Sequence, residues 1–221
     1  MTKVSLVRPT LLLLYGFPGA GKTYLARQLS EDLHMAHVQG DRIRFELFEE
    51  PRFDRQENEI VSHLMDYMTE EFLKAGISVV YDMNAMRATQ RRELRELARR
   101  NKAQVLIVWF QMDIESAFTR VAKRDRRKLD DRFARPLDRT TFENIIGHMQ
   151  NPTPTEDYAV VSGKHNFTTQ RSAVIKKLYD MGLLHAEQAT AGIAKPELVN
   201  LIPNPLVAGR VDPSRRNITI R

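Results

Sequence analysis

The octapeptide Gly16-Phe17-Pro18-Gly19-Ala20-Gly21-Lys22-Thr23 is the most informative stretch of this chain. It satisfies the pattern G-x-x-x-x-G-K-[ST] of a phosphate-binding loop. Glycine allows turns that point successive backbone N–H groups at phosphate oxygens, and a helix beginning near Gly21 adds its positive dipole end. Lys22 is expected to reach the β- and γ-phosphates of a nucleotide, and the Thr23 hydroxyl to ligate Mg²⁺. All eight residues are therefore predicted to bind ATP with Mg²⁺; an N-K-x-D guanine signature is missing, which favours ATP over GTP.

The context of this loop fits the same interpretation. The apolar run Leu11–Tyr15 precedes it and is typical of a buried parallel strand, whereas Gly21–Leu33 shows the apolar spacing of a helix. A phosphate-binding loop requires a strand before it and a helix after it. The alternative, a glycine-rich turn without a ligand, is disfavoured because both requirements are met.

The rest of the chain alternates short apolar runs with segments of helical periodicity. Further strands are predicted at Met35–Gln39, Ile77–Tyr81, Val105–Phe110 and Tyr158–Val161. Further helices are predicted at Arg42–Phe48, Glu59–Leu73, Thr89–Asn101, Ile114–Ala122 and Thr168–Met181. Five strands alternating with helices predict an α/β fold of the P-loop NTPase type, with a five-stranded parallel sheet covered by helices on both faces.

Two boundaries follow from composition. Residues 1–185 are predicted to form one nucleotide-binding domain, in which the charge-dense segment of about 123–151 forms a helical basic lid. Residues 120–139 contain nine Lys/Arg and four Asp/Glu. Residues 186–221 show no sustained period and contain Pro196, Pro203, Pro205 and Pro213, which predicts an extended C-terminal tail.

Composition excludes several classes of protein. The 221 residues include no cysteine, which excludes disulfides, thiolate catalysis and Cys-ligated zinc. No run of 18 apolar residues is present, so no membrane span is expected, and Met1–Arg8 lacks the features of a signal peptide. The net charge of +6 suits an anionic ligand. We expect a cytoplasmic protein that acts as a monomer.

Two carboxylates follow predicted strands. Asp82 closes the strand Ile77–Tyr81, where an acid can bind Mg²⁺ or simply cap the next turn. Asp41 follows Gly40 after the second strand, where it can accept the proton of a substrate hydroxyl or serve as the N-cap of the helix Arg42–Phe48. Both alternatives stay open for each residue, although the strand-end loops of parallel sheets are where such sites occur.

Arginines of the basic segment are candidates for charge stabilisation during phosphoryl transfer. A lid arginine can contact the γ-phosphoryl oxygens, and the candidates in order are Arg124 and then Arg127. The alternative is a surface helix whose arginines pair with nearby Asp residues. Arg42 and Arg44 either orient an anionic acceptor or are solvated. The arginine-rich helix Thr89–Asn101 is predicted to be a solvated surface, since acidic residues interrupt it and no aromatic residues are interleaved.

These residues together resemble a known family. GFPGAGKT, the GD at Asp41, VVYDMN around Asp82 followed by an arginine-rich helix, and RVAKRDRR look like the small P-loop kinases. The polynucleotide-kinase and zeta-toxin-like branch, often labelled AAA-33, is the most similar, over about Leu11 to Leu183. The resemblance implies that Asp41 is the general base, that Arg124 contacts ATP phosphates and that the loop Ser162-Gly163-Lys164 lies near adenine. Members of this group often carry Asn three residues after the strand-three Asp, whereas Asn84 lies two residues after Asp82.

Three functions are compatible with this sequence. The first is a kinase that transfers the γ-phosphate of ATP to a hydroxyl of a nucleic-acid end or a small metabolite, with Lys22, Asp41, Arg124 and Arg127 as catalytic residues. The second is an ATPase or nucleotide-dependent switch without an acceptor. The third is a nucleic-acid-binding module whose nucleotide site is regulatory. Compact size, Asp41 and the basic lid favour the first.

Overall fold

A computed structural model gives the structure of residues 5–185, and five strands in it form one fully parallel sheet. The strands are β1 (Thr10–Tyr15), β2 (Ala36–Gln39), β3 (Val79–Asn84), β4 (Gln104–Gln111) and β5 (Tyr158–Ser162). Their order is β2-β3-β1-β4-β5, so the strand that leads into the phosphate loop is central. All six residues of β1 are buried, as expected for a parallel strand covered on both faces.

Seven α-helices cover this sheet or close over its edge. They are α1 (Lys22–Asp32), α2 (Gly40–Leu47), α3 (Arg55–Lys74), α4 (Ala88–Arg100), α5 (Ile114–Ala122), α6 (Arg139–Gly147) and α7 (Phe167–Asp180). A 3-10 helix (Leu129–Asp131) lies between α5 and α6. Side chains of β1 alternate between two cores: Leu12 and Leu14 pack with α1 and α7, whereas Leu11, Leu13 and Tyr15 pack with α3 and α4.

Short polar side chains fix where four helices begin. Asp54, Asp113, Asp138 and Asn166 each accept a hydrogen bond from the backbone N–H three residues later. Such caps satisfy N–H groups that have no partner within the helix. The Asp54 cap explains why α3 starts at Arg55, four residues earlier than periodicity alone predicts.

The structure confirms the α/β fold with a five-stranded parallel sheet, and it corrects one strand. The third strand was expected at Ile77–Tyr81, but β3 begins at Val79 and continues through Asn84, while Ile77 is exposed. The strand continues past Tyr81 because it is paired on both sides. Its pairing with β1 extends to Asn84, and its pairing with β2 extends to Asp82. Asp82 therefore lies within the strand instead of closing it.

The structure also bears on the predicted helix α5, the predicted lid, the predicted tail and the predicted absence of a membrane span. Helix α5 has the predicted bounds, and the predicted lid of 123–151 contains the 3-10 helix and α6. The predicted tail of 186–221 lies outside the described residues. No helix within residues 5–185 is both long enough and apolar enough to cross a membrane.

Candidate active site

The phosphate loop connects β1 to α1 at the carboxyl edge of the sheet. Gly19 and Gly21 have φ angles of 85° and 93°, a left-handed conformation that a side chain would strain. A Cβ at Gly19 would also collide with the Ala117 carbonyl of α5. The Ala20 N–H donates to the Phe17 carbonyl at 3.1 Å, which closes the turn. The glycines are thus needed both for the turn and for the close approach of α5.

The Lys22 side chain folds back over the start of this loop. Its Nζ donates to the carbonyl oxygens of Gly16 and Phe17, each at 2.8 Å. Burial lowers the pKa of Lys22 to about 8, while the Asp82 carboxylate opposes part of that change. The ammonium group is therefore positioned at the loop that the pattern assigns to phosphate.

Thr23 and Asp82 come together although 59 residues separate them in the chain. The Thr23 hydroxyl donates to Asp82 Oδ1 at 3.3 Å, and His37 Nε2 lies 3.0 Å from Asp82 Oδ2. Hydroxyl and carboxylate oxygens next to a phosphate site are the protein ligands that Mg²⁺ takes, with waters and phosphate oxygens completing its octahedron. Thr23 and Asp82 therefore fit a nucleotide-bound Mg²⁺. Within residues 5–185 no cluster of three His, Cys, Asp or Glu is arranged for a metal held by protein alone.

Asp41 is the second residue of α2, immediately after β2. The pKa of Asp41 is raised to about 6, because burial and then the Asp82 charge raise it by more than Arg44, Arg124 and Lys22 lower it. The alternative role of N-cap is wrong, because α2 starts at Gly40 and its N-cap is Gln39, with no side-chain cap bond. A carboxylate whose pKa lies near neutrality and that faces the phosphate loop has the properties of a general base.

The two candidate lid arginines differ in position. Arg124 is partly buried, its Nη1 donates to the Arg135 carbonyl at 3.1 Å, and its Nε lies 3.8 Å from Asp131. Burial lowers the pKa of Arg124, and Asp131 and then Asp41 oppose this. Arg127 is 91% exposed and forms a two-point ion pair with Asp125 at 2.9 and 3.0 Å. The structure brings Arg124 to the site and does not bring Arg127 there.

The loop after β5 packs directly against the phosphate loop. A Cβ at Gly163 would lie 2.8 Å from the Ala20 carbonyl oxygen and 2.7 Å from Met112 Cε. The Gly163 carbonyl accepts from Arg120 Nη1 at 2.7 Å, which ties α5 to the same loop. A cavity of about 550 Å³ opens between the phosphate loop and the ends of β4 and β5, with Phe17, Gln111 and Lys164 among its walls. The loop Ser162-Gly163-Lys164, which was predicted to lie near adenine, therefore contributes to the wall of this cavity.

Two residues that support the site were not identified correctly from the sequence: the role of Asn84 was not recognised, and Arg91 was predicted to be solvated. Asn84 Oδ1 accepts from the Gly16 N–H at 3.2 Å, so it fixes the start of the phosphate loop. Arg91 is fully buried and forms a two-point ion pair with Glu156, so the prediction of a solvated arginine surface is wrong for this residue, whereas Arg92 and Arg99 are exposed as predicted. The signal was its position three residues before buried Leu94, on the inward face of α4.

The two arginines that follow Asp41 also differ in their burial and in their partners. Arg42 is exposed and lies 3.8 Å from Glu46 one helical turn away. Arg44 is buried and bonds to Glu57 at 3.1 Å and to Asn58 at 2.6 Å. Arg44 therefore is neither solvated nor available to a ligand, since it holds α2 against α3.

Comparisons with known proteins identify the family and the fold of this chain. The family model described as an AAA domain (AAA_33) matches residues 11–152. No curated protein sequence matches the chain.

Solved structures with the same fold are kinases and nucleotide-binding proteins of low sequence identity. Kti12 of Chaetomium thermophilum, in complex with ADP-AlF3, has a TM-score of 0.60 at 18% identity, over 77% of this chain and 97% of that one. A sugar kinase from Janibacter sp. HTCC2649 has a TM-score of 0.57 at 14% identity, over 85% and 99%. The APS kinase CysC of Mycobacterium tuberculosis, in complex with AMPPNP and APS, has a TM-score of 0.57 at 17% identity, over 78% and 98%. At these identities the likeness shows a common fold.

Proposed function

The chain belongs to the AAA domain family AAA_33, and from this premise we propose that it is an ATP-dependent kinase. In this proposal it transfers the γ-phosphate of ATP to a hydroxyl group of a nucleic-acid end or a small metabolite, with Mg²⁺ as the cofactor. Two proteins of similar fold carry ADP-AlF3 and AMPPNP, which supports nucleotide binding in the same loop.

One observation carries the proposal: five functional groups converge on the phosphate loop from separate parts of the chain. Lys22 and Thr23 belong to the loop itself, Asp82 comes from β3, Asp41 from α2 and Arg124 from the segment after α5. The charges of Asp82 and Arg124 are close enough to act on the pKa values of both Lys22 and Asp41. A second carboxylate with a pKa near 6 beside these groups supports transfer to a hydroxyl, because it can accept the proton of the attacking acceptor.

The residues suggest the following division of roles. Backbone N–H groups of the loop and the Lys22 ammonium hold the phosphates. Thr23 and Asp82 would hold Mg²⁺, which neutralises phosphate charge when bound. Asp41 takes the proton of the acceptor hydroxyl as that oxygen bonds to the γ-phosphorus and the bond from phosphorus to the β,γ-bridging oxygen breaks. ADP is the leaving group, and Arg124 stabilises charge on the transferred phosphoryl group.

The direct test is transfer of label from γ-labelled ATP. The protein is incubated with Mg²⁺ and separate pools of 5′-hydroxyl RNA and DNA, nucleosides, sugars and nucleotide sugars, beside Lys22→Ala and Asp41→Asn variants. We expect label on one acceptor class, lost in both variants. Free phosphate released at one rate with every pool would overturn the kinase proposal in favour of an ATPase.

A further inference from the structure

The two oxygens of the Asp82 carboxylate have different partners. Oδ1 accepts from the Thr23 hydroxyl at 3.3 Å, whereas Oδ2 lies 3.0 Å from His37 Nε2. Because an ionised carboxylate can only accept, the Nε2–H of His37 is the donor of this second bond. The two oxygens are therefore not equivalent: one lies at the start of the helix that follows the phosphate loop, and the other is bonded to the second strand.

The register of the sheet explains why His37 reaches Asp82. Strands β2 and β3 pair in parallel, with His37 opposite Val80 and Gln39 opposite Asp82. Side chains two residues apart on a strand share a face, so His37 lies on the same face of the sheet as Val80 and Asp82. Val80 packs into the core that α1 and α7 cover. His37 and Asp82 thus belong to the face that carries Thr23, at the start of α1.

This hydrogen bond lies largely inside the protein, although β2 is at one edge of the sheet. The side chain of His37 is 20% exposed and that of Asp82 only 5%. A hydrogen bond in such surroundings is electrostatically stronger than one in water. The last torsion of an aspartate side chain has broad, shallow minima, so a partner is needed to fix the orientation of its carboxylate. His37 supplies that partner on one side and Thr23 on the other.

The number of oxygens that a carboxylate offers matters for the cation that it binds. Mg²⁺ requires a near-ideal octahedron, with ligands at about 2.0–2.1 Å, whereas Ca²⁺ takes about 6–8 oxygens and accepts both oxygens of one carboxylate. To bind one ion through both oxygens, Asp82 would have to give up its bond to His37. The bond to His37 therefore favours coordination through a single oxygen, which suits Mg²⁺.

We propose that His37 is a positioning residue that makes the site selective for Mg²⁺ over Ca²⁺. Its hydrogen bond holds Oδ2 of Asp82, so that Oδ1 alone faces the cation beside Thr23. This rests on the proposed function, with its nucleotide-bound Mg²⁺, and adds a choice of cation to it. His37 touches neither the nucleotide nor the cation in this proposal and acts only through Asp82. Removal of such a partner of a metal ligand lowers metal affinity by about 10–100-fold.

The test uses two variants that differ in one donor. His37→Gln keeps an N–H donor at about the reach of histidine Nε2, whereas His37→Met has nearly the same length and shape as glutamine but no donor. His63→Met is the control, since His63 is an exposed histidine of α3. Calorimetry measures the affinity of each full chain for AMPPNP with Mg²⁺, with Ca²⁺ and without a divalent cation. Urea unfolding shows whether each variant is folded.

We expect Mg²⁺ to tighten the binding of AMPPNP by the wild type more than Ca²⁺ does. In His37→Met the effect of Mg²⁺ should fall about tenfold or more, because Asp82 loses its orientation. The effect of Ca²⁺ should fall less, because Asp82 is then free to offer both oxygens. His37→Gln should keep most of the preference for Mg²⁺, and His63→Met all of it. Without a divalent cation, the four proteins should bind AMPPNP equally.

Three results would overturn the role of His37 and leave the proposed kinase in place. The first is a wild-type response to Mg²⁺ in His37→Met. The second is an equal loss in His37→Gln and His37→Met, since the ring and not the donor would then matter. The third is an equal fall of the Mg²⁺ and Ca²⁺ effects in His37→Met, which would remove the selectivity.

Failure of the kinase gives a different pattern. Loss of the preference for Mg²⁺ in His37→Met, with no transfer of label by the wild type to any acceptor, would support the role of His37 and overturn the kinase. A wild type that binds AMPPNP with one affinity under all three cation conditions would overturn both proposals.

Discussion

The Arg91 guanidinium and the Glu156 carboxylate, 65 residues apart in the chain, form a two-point ion pair at 2.9 and 3.1 Å. Their side chains are only 0% and 3% exposed. Arg91 also donates to the Ala85 and Gln150 carbonyls, at 3.1 and 2.9 Å. The pair therefore ties the loop after β3, which is continuous with Asn84, to the end of the lid.

Removal of one partner of this pair should destabilise the protein strongly. Arg91→Met removes the two-point partner of Glu156 and leaves the partly exposed Arg95, 3.3 Å away, as its cationic contact, so the expected loss in free energy of unfolding is about 3 kcal/mol. Equilibrium urea unfolding measures it, with exposed Arg100→Met as the control. A loss below about 1 kcal/mol would contradict the interpretation, since this is the range of an exposed pair. The double variant Arg91→Met/Glu156→Leu should recover much of the stability because no buried charge remains.

Asp82 should couple nucleotide binding to Mg²⁺. Asp82→Asn removes the carboxylate next to the Thr23 hydroxyl, so Mg²⁺ should no longer tighten the binding of an ATP analogue. The measurement is the affinity for AMPPNP with and without Mg²⁺. Asp66→Asn is a matched control, because Asp66 is a partly buried carboxylate bonded to Tyr81 of the same strand at 2.9 Å. A wild-type Mg²⁺ response in Asp82→Asn would remove Asp82 from the metal site.

The proposed base and the loop lysine should give a bell-shaped pH profile. Asp41 must be ionised to accept a proton, and its pKa is about 6, whereas Lys22 must be charged to hold phosphate, and its pKa is about 8. The kcat/KM of phosphate transfer should rise up to about pH 6 and fall above about pH 8, since this ratio reports the free enzyme. A flat profile between pH 5 and pH 9 would contradict both assignments.

Asp41 should also affect stability in a pH-dependent direction. Its folded-state pKa is raised from 3.8 to about 6, so ionised Asp41 opposes folding. The effect is absent below pH 3.8, grows between the two pKa values and is complete above pH 6. Asp41→Asn should therefore raise the free energy of unfolding at pH 8 but not at pH 3.5. Urea unfolding at the two pH values checks this, and a stabilisation at pH 3.5 that equals that at pH 8 would show a cause other than the carboxylate charge.

Gly163 should be intolerant of a side chain because a Cβ there would lie 2.8 Å from a backbone oxygen, that of Ala20, as well as against the Met112 side chain. In Gly163→Ala the new methyl group meets the Ala20 carbonyl, so either the loop after β5 or the phosphate loop must shift, at a cost of about 1–3 kcal/mol. We expect weaker binding of AMPPNP by calorimetry. Gly147→Ala is the control, since a Cβ at Gly147 meets nothing within 4 Å. Equal affinity in both variants would mean that the two loops are not coupled.

Local patterns made the centre of the site predictable. The phosphate loop is eight adjacent residues, and a strand and a helix flank it in the chain, so no knowledge of long-range packing was needed. Asp41 and Asp82 could be placed near the loop because parallel strands end at one edge of a sheet. That argument did not require the strand order.

Contacts that depend on the order of the strands, or on which of several nearby side chains pair with each other, could not be predicted from the sequence. His37 meets Asp82 because β2 lies beside β3, and no residue pattern gives that order. Arg124 and Arg127 are only three residues apart in the chain, but their roles differ. Asp125 pairs with Arg127 and keeps it on the surface. Arg91 was misjudged because the charge of α4 was weighed above the face on which each arginine lies.

During synthesis, the central strand leaves the ribosome long before either of its neighbours exists. Leu11 pairs with Val79 on one side and with Val105 on the other. At the usual pace of translation the four consecutive leucines of β1 wait on the order of 5–20 s for these partners. Unpaired apolar strands are prone to join other chains, and parallel pairing over such separations is slow to form. The strand that positions the phosphate loop is therefore also a segment of the nascent chain that stays unpaired for seconds and is exposed to aggregation during that time.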